Sequence, residues 1–264
     1  ENLVYKDHPF CAMVPKDETF GGKNLPLPII HGNPQGRSRT FSTAKANKTA
    51  SQLKDFTLTR AKDYSLATID NETAEASEND KGAFLKALTT EIDGAMQSAK
   101  NSLASGLFSD QSGVIGQVAV GGITGEVVTL DDPESIVYFE NSMSLVGAAA
   151  KSTGGLLGGA ALVVAVDRDL GTFTMAAGGV AAMALVAGAF VFVEGDRNLS
   201  EAGLDAWLPL VAPAPADNFF GVDRSVDTTR LGGIRFDGTA LPIEEALIGG
   251  LARLNRDGGR GETC

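Results

Sequence analysis

Cysteine and histidine are nearly absent from this chain of 264 residues. The two cysteines, Cys11 and Cys264, stand almost a chain length apart, which excludes a disulfide scaffold and a cysteine-ligated zinc site. Two histidines, His8 and His31, are too few for a histidine-rich metal centre. Aromatic residues are scarce, with one Trp and three Tyr. No basic-then-apolar leader opens the chain, which starts at Glu1 rather than Met, so a processed or partial product is expected. Apolar residues at 43% and charged residues at 21% match a globular protein and exclude wholesale disorder and a collagen-like repeat. Glycine is the residue in excess. Its 32 copies favour turns and tight β connections.

The motifs of catalysis are missing as well. Gly21-Gly22-Lys23 lacks the spacing of a phosphate-cradling loop. No Gly-x-Ser-x-Gly elbow stands with a partnered histidine. Asp167-Arg168-Asp169 is too short for a calcium loop and reads as a hairpin tip. The acid pairs Asp131-Asp132 and Glu244-Glu245 are sequence neighbours whose side chains point apart, so they make no general acid/base pair. Asn47-Lys48-Thr49 and Asn198-Leu199-Ser200 match glycosylation acceptors, a pattern common by chance. The expectation is a non-enzyme with no cofactor and no bound metal.

Charge is abundant but unevenly placed within the net −11. Lys23 to Lys62 carries eight basic residues and one acid, Asp55; Asp63 to Glu140 carries fourteen acids and three lysines. The basic stretch admits three readings: a nucleic-acid contact, a contact with the acidic part of another copy, or an ordinary solvated surface. Only Phe41 and Phe56 could stack on bases, and the acidic remainder would repel phosphates. Complementary patches between copies would fix orientation and register instead.

Residues 1–22 read as an irregular N-terminal arm. Leu25-Pro26-Leu27-Pro28-Ile29-Ile30 is extended, and its alternating prolines restrict it to an edge strand. Gly32-Asn33-Pro34-Gln35-Gly36 is a turn, and the polar stretch 37–55 has little to bury and is expected to be mobile alone. A second extended segment runs from Phe56 to Ile69. Together they suggest a ribbon of roughly 45 Å with a basic tip, which nothing in its own chain covers. Ser77-Glu78-Asn79-Asp80 supplies capping residues for a helix from Lys81 to Ser109, whose stripe runs through Phe84/Leu85, Leu88, Ile92, Met96, Ala99, Leu103 and Leu107.

Residues 112–211 are glycine-rich and poor in charge. Six short strands are expected: Ile115–Val120, Glu126–Leu130, Met143–Gly147, Ala161–Val166, Thr172–Met175 and Phe190–Glu194, forming a small barrel or sandwich. The uncharged segment 175–193 reaches the length of a membrane span, yet it is rich in Ala and Gly and flanked by acids. A compact β-rich domain is the preferred reading there. Ala212-Pro213-Ala214-Pro215 reads as a stiff linker and boundary. Beyond it, a helix opens at Pro242-Ile243-Glu244-Glu245 and stops before Gly258-Gly259.

The order of these pieces resembles tailed-bacteriophage major capsid proteins with the Hong-Kong-97-type fold. The likeness rests on Phe20-Gly21-Gly22-Lys23-Asn24-Leu25-Pro26, on Gly32-Asn33-Pro34-Gln35-Gly36-Arg37-Ser38, and on Asp63-Tyr64-Ser65-Leu66-Ala67-Thr68-Ile69-Asp70-Asn71-Glu72-Thr73. Glu194-Gly195-Asp196-Arg197-Asn198, Trp207-Leu208-Pro209 and Phe220-Gly221-Val222-Asp223-Arg224 extend it. The resemblance implies an α+β fold divided into an arm (1–22), an extended β-ribbon loop (23–69), a peripheral domain with a spine helix (70–111), an inserted β-rich module (112–215) and the start of an axial domain (216–264), incomplete at Cys264.

It implies a major capsid protein that self-assembles through hexamers and pentamers into an icosahedral head around double-stranded DNA. Portal, scaffolding or decoration proteins would be partners, DNA would be touched without sequence preference, and the protein would be found in the virion and, during assembly, in the host cytoplasm. Arg37, Arg39, Lys45, Lys48, Lys54 and Arg60 are expected to face Glu72, Glu75, Asp80 and Asp93 across subunits. Three rivals stand beside it: an encapsulin-like nanocompartment shell, a membrane pore component built around 175–193, and a β-rich adhesion or tail-fibre module.

Overall fold

A computed structural model describes residues 13–15, 20–68, 81–216 and 218–258. The chain mixes helix and strand and divides into two compact units. One comprises Glu1–Lys16 and Ala61–Gly203, the other Asp17–Arg60 and Leu204–Cys264. The elements in chain order are β1 (Asn24–Gly32), α1 (Phe41–Ala46), β2 (Gln52–Thr59), α2 (Lys81–Gly106), β3 (Val114–Thr124), β4 (Val127–Leu130), a 3-10 turn (Pro133–Tyr138), β5 (Ser144–Ala148), β6 (Ala161–Asp167) and β7 (Thr172–Met175). There follow α3 (Gly179–Ala182), β8 (Phe190–Val193), α4 (Leu204–Trp207), β9 (Asn218–Phe219), β10 (Val222–Asp223), a second 3-10 turn (Arg224–Asp227) and α5 (Ile243–Gly258).

In the first unit six strands close into a barrel of order β3-β4-β7-β6-β5-β8, every ladder antiparallel. Closure leaves no open edge, the usual solution for short strands that cannot stand alone. Alternation selects the interior: Val118, Val128, Leu130, Leu145, Val163, Phe173, Met175 and Val191 point inward and are buried. The 3-10 turn plugs the barrel with Ile136 and the residue after it, Phe139, which stacks on Phe173 at 4.7 Å. Gly171 turns β6 into β7 at a φ of +63°, and a side chain there would strike Pro133 at 2.6 Å.

The β5–β8 side is buried on both faces. Val146, Ala148 and Phe192 form a second small cluster outside the barrel. Arg197 roofs it, lying 5.4 Å from the Phe192 ring and donating to the carbonyls of Ala150 and Thr153 at 2.9 and 2.6 Å.

The uncharged stretch 175–193 does not form one long helix. After β7 the chain turns at Gly178, makes the single helical turn α3 and enters β8, burying Met183, Leu185 and Ala189 in the barrel core. The Glu126 carboxylate accepts hydrogen bonds from the Gly178 and Val180 amides at 2.9 and 3.0 Å, satisfying the open end of α3. Among the described residues no helix is long and apolar enough to cross a membrane. The span considered from the sequence is thus a broken segment of the barrel unit, with Met183, Leu185 and Ala189 inside and Val186 exposed.

Helix α2 ends at Gly106, three residues before the expected Ser109. Its capping segment 77–80 lies outside the described residues. From Glu91 onward its stripe is only half covered: Met96, Ala99 and Leu103 are half-buried and Ile92 is exposed. Ser65 donates to the Ala95 carbonyl at 2.8 Å, laying the irregular segment 60–68 against this helix. The second strand of the ribbon therefore stops at Thr59 instead of reaching Ile69. The division between units falls at Gly203–Leu204, and Pro213 of the expected linker is buried beside Gly232 inside the second unit.

Replacing Phe173 by Ala removes a ring that is 1% exposed and stacked in the barrel centre. The expected loss is about 3–5 kcal/mol, read as a lower urea midpoint with unchanged slope.

Candidate assembly interface

The basic stretch of the sequence is carried by the second unit. Strands β1 and β2 form a two-stranded antiparallel ribbon of about 30 Å. The register sets Leu25 opposite Leu58, Leu27 opposite Phe56 and Ile29 opposite Lys54, so these six residues share one face. That face is anchored within its own unit. Phe56 is 1% exposed, with its ring centroid 5.6 Å from Trp207 and 6.3 Å from Phe219. The Thr57 amide donates to the Phe220 carbonyl at 2.9 Å.

Phe220 and Gly221 form the β9–β10 turn with φ values of +47° and +85°. An aromatic residue is unusual in that conformation. Its ring lies 5.7 Å from Trp207 and 4.6 Å from Phe219, and this packing holds the strained backbone. Beneath them the buried Arg224 guanidinium sits 4.2 Å from the Phe219 ring and donates to the Ala206 carbonyl at 2.8 Å. A second pin lies at the His31 bulge. His31 is buried, and its carbonyl accepts a hydrogen bond from Arg230. The expectation that nothing in the chain covers the ribbon is corrected for the part of this face around Phe56, because 204–231 supplies the aromatic floor, while Leu27 stays 40% exposed.

The other face is different. Pro26, Pro28, Asp55 and Thr57 are exposed there, as is the cross-strand pair Ile30 and Leu53 at 47% and 54%. Pro26 and Pro28 share a parity, so both missing N–H groups fall on one edge of β1. An intact ladder with β2 places that edge away from β2, where proline blunts strand addition.

The tip, residues 33–51, lacks regular secondary structure on both sides of one short helix. Helix α1 occupies its middle, and Thr49 and Gln35 tie its two sides through Thr49 N to Gln35 O at 2.9 Å and Gln35 N to Thr49 Oγ1 at 3.0 Å. Gly36, at a φ of +134°, lets the backbone close on Lys48 and the Ala44 carbonyl. These contacts stand in place of the missing apolar core. Phe41 projects from the tip, 83% exposed, among the exposed side chains of Arg37, Arg39, Lys45 and Lys48.

The six cations expected at the interface thus separate. Those four lie together on the tip and form no ion pair with a described residue. Arg60 is engaged locally, donating to the Phe20 carbonyl at 3.1 Å with its guanidinium 4.9 Å from the Phe20 ring. Lys54 sits on the anchored face near Asp223. Hydrogen bonds from Ser225 hold the Asp223 carboxyl below the usual range, with Lys54 adding a small further pull. Of the expected acids, Asp93 is exposed on α2, while Glu72, Glu75 and Asp80 lie outside the described residues.

The acidic side belongs to the barrel. From Leu107 to Gly203 eleven acids stand against Lys151, Arg168 and Arg197. All three cations are engaged internally: Lys151 pairs with Asp110 at 2.8 Å, Arg168 with Glu140 at 2.7 Å, and Arg197 binds loop carbonyls. Burial raises the Asp110 carboxyl, but hydrogen bonds from Lys151 and Ser112 outweigh it and hold the group below its ordinary pKa. Asp196 is pushed up, first by burial and then by the charges of Asp63 and Glu201.

The barrel surface has an open hollow lined by Val127, Ala165, Asp167, Thr172 and Thr174. Among the described residues no three His, Cys, Asp or Glu side chains are placed to hold a metal ion. Helix α5 adds one more uncovered apolar surface, with Ile243, Leu247, Ile248, Leu251 and Leu254 all exposed.

Sequence reasoning missed the anchoring role of Phe56, which it named only as a possible base-stacking residue and as the start of an extended segment. It also missed the arginine–carbonyl clamps at Arg197, Arg224 and Arg230, because backbone carbonyls as acceptors leave no residue-type signal in the sequence. Comparison with protein-family models, with curated proteins and with solved structures finds no match to the chain.

Replacing Phe56 by Ala is expected to cost about 3 kcal/mol locally and to speed proteolysis within 20–60 while the barrel stays intact, as mapped by limited trypsin digestion. The two perturbed carboxylates give opposite pH effects. The ionised Asp110 adds stability above the ordinary carboxylate range that is lost as pH falls through its depressed pKa. The folded state instead holds the Asp196 proton more tightly, so stability declines as pH rises through the ordinary carboxylate range towards its raised pKa. At neutral pH Asp196→Asn should therefore raise the urea midpoint and Asp110→Asn lower it, and both differences should shrink on acidification.

Proposed function

We propose that the chain is a structural shell subunit of the tailed-phage capsid type, whose activity is ordered self-association rather than catalysis. The observation that carries this reading is the ribbon with one face anchored on its own unit and its other face and basic, Phe41-bearing tip left to solvent. Such a device has no use in a lone molecule. It fits a tie that extends from one subunit to the next, and many modest contacts of this kind become strong in a closed symmetric array.

Two further features support it. The charge split gives copies complementary surfaces, a basic tip and an acidic barrel. The exposed apolar side chains of α5, Ile243, Leu247, Ile248, Leu251 and Leu254, offer a surface that a further copy could cover. Partners on this reading are further copies in hexamers and pentamers, with enclosed double-stranded DNA touched through phosphates alone. The surplus of acid elsewhere limits sticking to that DNA.

The purified protein should form closed particles in negative-stain micrographs, with nucleic acid inside when they are assembled during phage growth. The triple variant Arg37→Glu, Arg39→Glu, Lys45→Glu should remain folded by circular dichroism yet fail to form particles. A wild-type protein that stays monomeric at all concentrations contradicts the reading, as do particles unaffected by the triple variant. Particles that enclose protein and no nucleic acid would move the assignment to a nanocompartment shell.

A further inference from the structure

One end of the barrel is built from segments 131–140 and 167–171, which the fold locks together. The Leu130 amide donates to the Gly171 carbonyl at 3.1 Å, Gly171 packs on Pro133, and Arg168 donates to the Phe139 carbonyl at 3.2 Å. The ring stack of Phe139 on Phe173 holds both segments from inside. The outer surface of this end leaves three large side chains bare: Val137 at 60%, Tyr138 at 45% and Leu170 at 67% exposure. Around them stand Asp131, Asp132, Glu134, Glu140, Asp167 and Asp169, all exposed. Arg168 is the one cation in these segments, and it is already paired with Glu140.

This surface is the chemical complement of the ribbon tip. Each has exposed apolar side chains at its centre, Phe41 on the tip and Leu170 with Val137 on the barrel. Each has a rim of one sign, since residues 20–54 contain no acid at all. Both surfaces are also tied internally, the tip through its Gln35–Thr49 bonds and α1, the barrel end through its closed sheet. We propose that this acidic–apolar barrel end is the receptor for the tip, residues 37–48, of a second copy of the chain. The proposal rests on the shell reading and replaces Glu72, Glu75, Asp80 and Asp93 as the expected receptor. An aromatic side chain at the centre, sealed by a charged rim, is the arrangement that concentrates binding energy at protein interfaces.

The test assembles an equal mixture of unlabelled and nitrogen-15-labelled full-length protein and treats it with a carbodiimide, which joins a lysine to a carboxylate it touches. Mass spectrometry should find Lys45 or Lys48 of one isotope joined to Asp131, Glu134 or Asp169 of the other. A charge exchange gives a second readout. Asp131→Lys with Asp169→Lys should lower particle yield by about tenfold or more, as like charges meet across the contact, and combination with Arg39→Glu and Lys45→Glu should restore it. Particles in which the tip lysines join other carboxylates, such as Glu91 or Asp93, or in which the exchange gives no recovery, overturn this inference and leave the shell reading standing. Failure of the wild-type protein to form particles overturns the shell reading itself.

Discussion

The burial of Phe56 against Trp207 and Phe219 is the contact on which the second unit depends. A two-stranded ribbon has no core of its own and is marginal in water. One ring, fully buried in an aromatic floor, turns it into a fixed arm with a defined inside and outside. The floor is held in turn by the Phe220-Gly221 turn, whose strained backbone persists through ring packing, and by Arg224 beneath it. Because Phe56 fixes which face is covered, it also fixes that Ile30 and Leu53 point outward. The position of the basic tip at the far end of the ladder follows from the same register.

The barrel solves the opposite problem. It closes its edges, fills its centre with Phe139 and Phe173, and consumes its few cations internally. Its remaining surface is acidic. The two units thus divide the labour suggested by the charge pattern: one presents a cationic arm, the other an anionic body.

Much of the barrel was legible in the sequence, because six short runs with period-two alternation and glycine turns leave few alternatives. Thr172–Met175 is bounded as expected, and the other five strands differ by a residue or a few at their ends. The long helix was equally readable from its apolar spacing. The ribbon was read less well. Its second strand starts at Gln52, within a stretch that looked mobile, since pairing with β1 rather than local propensity orders it. The Ala-Pro repeat looked like a boundary, yet Pro213 is buried, a tertiary contact invisible to composition. The candidate interface was half legible. The cations were found by counting, but which of them stay available depended on Arg60 meeting Phe20 and Lys54 lying on the anchored face.

The central claim is that the outer ribbon face and tip are covered by another copy. Hydrogen–deuterium exchange on residues 24–53, compared between dissociated protein and assembled particles, tests it most directly. The account predicts slower exchange at tip amides in the assembly than in the free protein, while amides of the barrel core exchange alike in both. Equal exchange of the tip in the two states would contradict it.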